Sequence, residues 1–93
     1  MAEHVSETGT YKNISASALV FTGAVDLLGI FVASASASPT ILVEDALTDT
    51  TPLVVNTFIP SAGTFYPIPA VCGTGVYVKI GGTVDCTVFL KPR

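Results

Sequence analysis

The chain has 93 residues, of which only 12% are charged, and a net charge of −3. Soluble domains average about 25% charged residues, and one of this size buries only about 60–65% of the surface its unfolded chain exposes, so apolar surface is left over for contact with something other than water. Lys12, Lys79, Lys91 and Arg93 are the only Lys and Arg residues, too few and too scattered to neutralise a phosphate backbone, which excludes nucleic acid as a partner.

Residues 1–10 read as a mobile arm: polar, mixed in charge, with Gly9 near its end. Residues 11–93 then form one small domain. No basic segment leads into an apolar run after Met1, so no secretory signal is expected.

Val, Ile and Thr make up about a third of the chain, and Gln is absent. Those stiff side chains fit a pleated surface and disfavour helix. Short runs separated by turn chemistry call for an all-β domain. The expected form is a single antiparallel β-sandwich or jelly-roll-like domain of about seven to eight short strands.

In chain order the strands fall near Tyr11–Ser15, Ala18–Thr22, Leu27–Ala35, Thr40–Ala46, Leu53–Ile59, Thr64–Ile68, Gly75–Ile80 and Val84–Leu90. A helix near Ser15–Val20 or Ala24–Leu28 is the alternative for the early segments. The breakers between strands are Gly23, the Ala-Ser run ending at Pro39, Thr48–Pro52, Pro60–Gly63, Pro69–Gly73 and Gly81-Gly82.

The seventeen residues from Leu27 to Val43 carry no charge. A spanning helix needs about 20 apolar residues, and this stretch is interrupted by Ser34, Ser36, Ser38 and Pro39. It reads as strand, and no membrane partner is expected. Within it, Ala33 to Ser38 alternates two small residues strictly. That run is either a flexible linker or a hairpin joining two apolar strands, and the flanking strands favour the hairpin.

The last two strands allow a register argument. A three-residue loop, Gly81-Gly82-Thr83, sets Val78 opposite Cys86, Val76 opposite Val88 and Ile80 opposite Val84. One face is then wholly apolar, with Lys79 opposite Asp85 on the other. A two-residue loop would put polar groups on the apolar face, because a slip of one residue flips every side chain. In this register Cys72 lies about 20 Å from Cys86, beyond disulfide reach. Both thiols are expected reduced and buried.

Chemistry-bearing groups are sparse. His4, the only histidine, lies in the arm, and Cys72 with Cys86 lacks zinc spacing. Glu44, Asp45 and Asp49 cluster with Thr48, Thr50 and Thr51. Such oxygens suit calcium, but no binding motif orders them, and a solubilising acidic loop is the plainer reading. They do not make a glycosidase pair either, since no further acid and no Trp line a sugar site. Gly73-Thr74-Gly75 and Gly81-Gly82-Thr83 open no helix and read as turns, not phosphate loops. No catalytic residue, metal or cofactor is expected, and the chain is not expected to be an enzyme. Phe65, Tyr66, Pro67 and Tyr77 are the candidate interface residues, either an exposed recognition ridge or a wall of the core.

The succession Leu28–Val32, Ile41–Asp45, Gly63–Pro69, Gly73–Thr83 and Cys86–Pro92 resembles the small all-β virion proteins of tailed bacteriophages. The resemblance covers Tyr11 to the end. It implies a non-enzymatic capsid decoration (cement) protein, or a small head–tail component, assembled in the host bacterial cytoplasm. It further implies a homo-oligomer, a trimer by analogy, that binds the major capsid protein or another virion protein. The alternative is a fibre or spike module that binds a receptor or glycan.

Overall fold

The computed structural model describes residues 9–93. It is all-β and antiparallel, with strands β1 (Thr10–Ile14), β2 (Ala18–Thr22), β3 (Val25–Glu44), β4 (Leu53–Phe58), β5 (Thr64–Cys72) and β6 (Gly75–Pro92). All six belong to one sheet. No helix among the described residues is long and apolar enough to cross a membrane.

The sheet is built on β3 and β6, which pair from Val25↔Pro92 to Glu44↔Tyr77. β1 flanks the C-terminal part of β6, and β2 its N-terminal part. On the other side, β5 flanks the start of β3 and β4 its end. The sheet therefore has a first half (β1, end of β6, start of β3, β5) and a second half (β2, start of β6, end of β3, β4).

A bend separates the halves. At about 3.3 Å per residue a straight β3 would run about 66 Å, whereas the longest extent of the molecule is 43 Å. The bend falls where Ser36 pairs with Thr83 and Thr40 with Gly81, which leaves Ala37, Ser38 and Pro39 opposite Gly82 alone. Ala37 and Ser38 take φ of +57°, and Gly82 takes +68°. A Cβ on Gly82 would run into the carbonyl oxygens of Ala37 and Ser38. The small residues let two backbones cross closely at a bulge.

Two expectations are corrected here. The Ala33–Ser38 run does not reverse the chain, and neither does Gly81-Gly82-Thr83. Each lies inside one long strand, so the eight short strands reduce to six. Val78 faces Val43 and Ala18, Cys86 faces Val32 and Ile14, and Lys79 faces Leu42 instead of Asp85. β5 also runs through Pro67 and Pro69 to Cys72, past the break expected at Pro69. An edge strand tolerates proline, because the missing donor falls on its open side.

The expected arm lies outside the described residues except for Gly9 and Thr10, and Thr10 already begins β1. The helix alternatives give way to β2 and the start of β3.

Two tight turns also connect the halves. Gly23-Ala24 links β2 to β3, and Gly73-Thr74 links β5 to β6. The Gly23 N–H donates to the Thr74 carbonyl at 2.8 Å, locking the turns together. The residues on the inner side of both halves are sealed from water, among them Leu27, Ile30, Val43, Val78, Val88 and Leu90. Each contributes roughly 1.5–3 kcal/mol by burial. Cys72 and Cys86 are free and buried in the same core. Their strand partners, Val25 and Val32, are seven residues apart on β3.

Candidate functional site

The outer side of the first half carries the largest exposed aromatic groups. Strand alternation sends Thr87 and Phe89 of β6 outward between inward Cys86, Val88 and Leu90. Pairing then lines up Tyr11 with Phe89, Phe89 with Gly29, Gly29 with Pro67, and Phe31 with both Thr87 and Phe65. Tyr11 is 69% exposed, Phe65 48% and Phe31 38%.

Gly29 creates the seat for this cluster. A Cβ there would stand 2.5 Å from Phe65 Cζ and 2.7 Å from the Tyr66 carbonyl oxygen. Its absence lets the Phe65 ring lie across β3 and meet Phe89 edge-on, with centroids 6.1 Å apart. Such pairs add about 0.5–1.5 kcal/mol beyond burial. Along the bend side runs a polar margin: Asn13 Nδ2 donates to Asp85 Oδ1 at 2.9 Å, the Cys86 carbonyl at 3.0 Å and Thr87 Oγ1 at 3.2 Å. At the opposite end stand Lys91, its cross-strand neighbour Asp26, and Arg93, whose Nε lies 3.5 Å from Asp26 Oδ1.

The four expected interface residues do not form one ridge. Phe65 and Pro67 face outward on the first half. Tyr66 alternates to the inner side, where its ring packs 5.1 Å from Phe58 and its hydroxyl accepts the Ser61 N–H at 2.8 Å. It helps line an apolar cleft of about 420 Å³ between the edge strands β4 and β5, with Val54, Val55, Phe58 and Ile68. Tyr77 lies on the outer side of the second half, opposite Glu44 and Leu19. Tyr11, Phe31 and Phe89 belong with Phe65 but were missed, because their alignment follows from long-range pairing that no local pattern announces.

The acidic cluster is divided among separate tasks. Asp45 accepts the backbone N–H groups of Thr74 at 2.9 Å, Gly73 at 3.0 Å and Gly75 at 3.2 Å. Those bonds, that from Thr74 foremost, hold its carboxyl below the usual pKa. Asp49 pairs with Lys79 at 3.0 Å on the surface, and that bond raises the Lys79 pKa. Glu44 is only 3% exposed, and its Oε1 has no hydrogen-bond partner among the described residues. Burial first, and then the Asp49 charge, push its carboxyl pKa up.

Among the described residues, no group of three His, Cys, Asp or Glu side chains is placed to hold a metal ion. Burial also raises both thiols, Cys86 to about 11, so neither is primed as a nucleophile. The most aromatic exposed surface of the described residues is the outer side of the first half. The chain matches no family model, no curated protein and no solved structure.

Proposed function

We propose that the chain is a non-enzymatic structural protein of a tailed-bacteriophage particle, a decoration or cement protein that joins other copies of itself and the shell subunit. It would be assembled in the host cytoplasm and reside in the virion. The observation that carries this reading is the row of Tyr11, Phe89, Phe31 and Phe65 on an outward sheet face. A solvated face of an antiparallel sheet ordinarily carries polar side chains. Large aromatics there, with charges among the described residues only at the two ends, are the composition of an interface centre.

The same reading includes the finer architecture. With β3 and β6 each divided at the bend there are eight segments. They run 1-8-3-6 across the first half and 2-7-4-5 across the second, the order of a jelly-roll sandwich. Two tight turns at the far ends support two facing layers. Jelly rolls recur in viral capsids and in lectins, so the aromatic face carries the functional reading and the fold alone does not.

The mechanism is passive. Apolar area removed from water contributes roughly 25 cal/mol per Å², less the cost of association, and binding raises the stability of whatever lattice is bound. The test is co-sedimentation of the purified chain with empty phage heads, followed by heating. Saturable binding and a higher temperature of head disruption are expected. No binding to heads, with saturable binding to a glycan instead, would replace this reading with receptor recognition.

A further inference from the structure

We propose that the aromatic outer side of the first half pairs with the same surface of a second copy, about a two-fold axis that passes near Val88 of β6. This deepens the assembly reading and rests on it. It names a partner for that surface and a two-fold geometry, in place of the trimer that the family resemblance implies.

The charge pattern along β6 carries the argument. Asp85, Thr87, Phe89 and Lys91 alternate outward along one row, and Asp85 stands about 20 Å from Lys91 at the strand's rise per residue. The Asp85 end is acidic. Among the described residues, the Lys91 end carries Lys91 and Arg93 against the single carboxylate of Asp26. A two-fold axis between Thr87 and Phe89 reverses the row of the second copy. Asp85 of each copy then meets Lys91 of the other, Phe89 meets Thr87, and Phe31 lies over the open Gly29 position. A like-oriented stacking would instead put Asp85 on Asp85 and Lys91 on Lys91, so the charges select the antiparallel arrangement. An isologous contact of this kind closes with two copies.

The area is of the right order. At the exposures of Tyr11, Phe31, Phe65, Leu28 and Val71, the side chains offer roughly 500 Å² of apolar surface. A standard interface takes about 800 Å² per partner, and the polar margins at both ends contribute the remainder.

The test uses Lys91→Glu, Asp85→Lys and their equimolar mixture, with circular dichroism to establish that each is folded and sedimentation equilibrium to read the mass. The wild-type chain should sediment as a dimer. Each variant alone sets like charges at both contacts and should weaken dimerisation at least about tenfold. The mixture should recover dimers, because a mixed pair has opposite charges at both contacts. Asp85→Lys also removes the Asn13 bond, so Asp85→Asn serves if it does not fold: mixed with Lys91→Glu it should restore dimers partially. A monomeric or trimeric wild-type chain, or a mixture no more dimeric than its components, would overturn the pairing. Trimers that bind phage heads would leave the assembly reading standing without this geometry. Dimers that ignore phage heads would do the reverse.

Discussion

Asp45 Oδ1 accepts the Thr74 amide at 2.9 Å, and this bond ties the end of β3 to the turn that begins β6. Because the same turn is joined to Gly23, one carboxylate braces the Gly23-Ala24 and Gly73-Thr74 turns together. Asp45→Ala should cost about 1–2 kcal/mol in urea unfolding at neutral pH. The folded pKa lies below the ordinary value, so this contribution is present above the unfolded pKa and disappears as pH falls through the folded one. The gap between wild type and variant should therefore close on acidification.

Glu44 has the opposite sign. Its folded pKa is raised by burial and by Asp49, so the favourable protonated state is held at low pH and lost as pH rises through the folded pKa. Glu44→Gln keeps a neutral group in place. Its melting temperature should match wild type below the ordinary carboxylate pKa, exceed it as pH rises through the raised folded pKa and keep a constant lead above that, measured by thermal melts across pH.

Gly29→Ala tests the seat beneath Phe65. The new methyl would collide with Phe65 Cζ and with the Tyr66 carbonyl oxygen, which as backbone cannot move aside. A loss of about 1–3 kcal/mol is expected for such overpacking, with a shifted Phe65–Phe89 contact visible in aromatic side-chain NMR signals.

The two thiols should be silent in the folded protein. Both are buried, and Cys86 titrates near 11. Reaction with a thiol reagent at pH 8 should proceed at the rate of unfolding and become fast in denaturant, with both cysteines then modified.

Strand content was legible because the wealth of Val, Ile and Thr, the breakers between short runs and the alternation along β6 are all local signals. The core residues on β6 were legible for the same reason: Val76, Val78, Val84, Cys86 and Val88 do share one face. Their connection was not. A three-residue hairpin loop and a strand that continues in the same direction through the bend at Gly81-Gly82-Thr83 both return the even-numbered residues to one face, so parity cannot separate them. The deciding partner was Ala37-Ser38 on β3, more than forty positions away. The aromatic face was half legible for a like reason: Phe65 and Pro67 are local, whereas Tyr11, Phe31 and Phe89 join them only through pairing across the sheet.

Sedimentation velocity of wild type beside a Tyr11→Ser, Phe65→Ser double variant tests most directly whether the outer aromatic side is the surface of assembly. Both residues are exposed, so the variant should stay folded by circular dichroism. The account predicts a multiple of the single-chain mass for wild type and the single-chain mass for the variant. A wild-type chain that stays single at high concentration, or a variant that assembles as well as wild type, would contradict it.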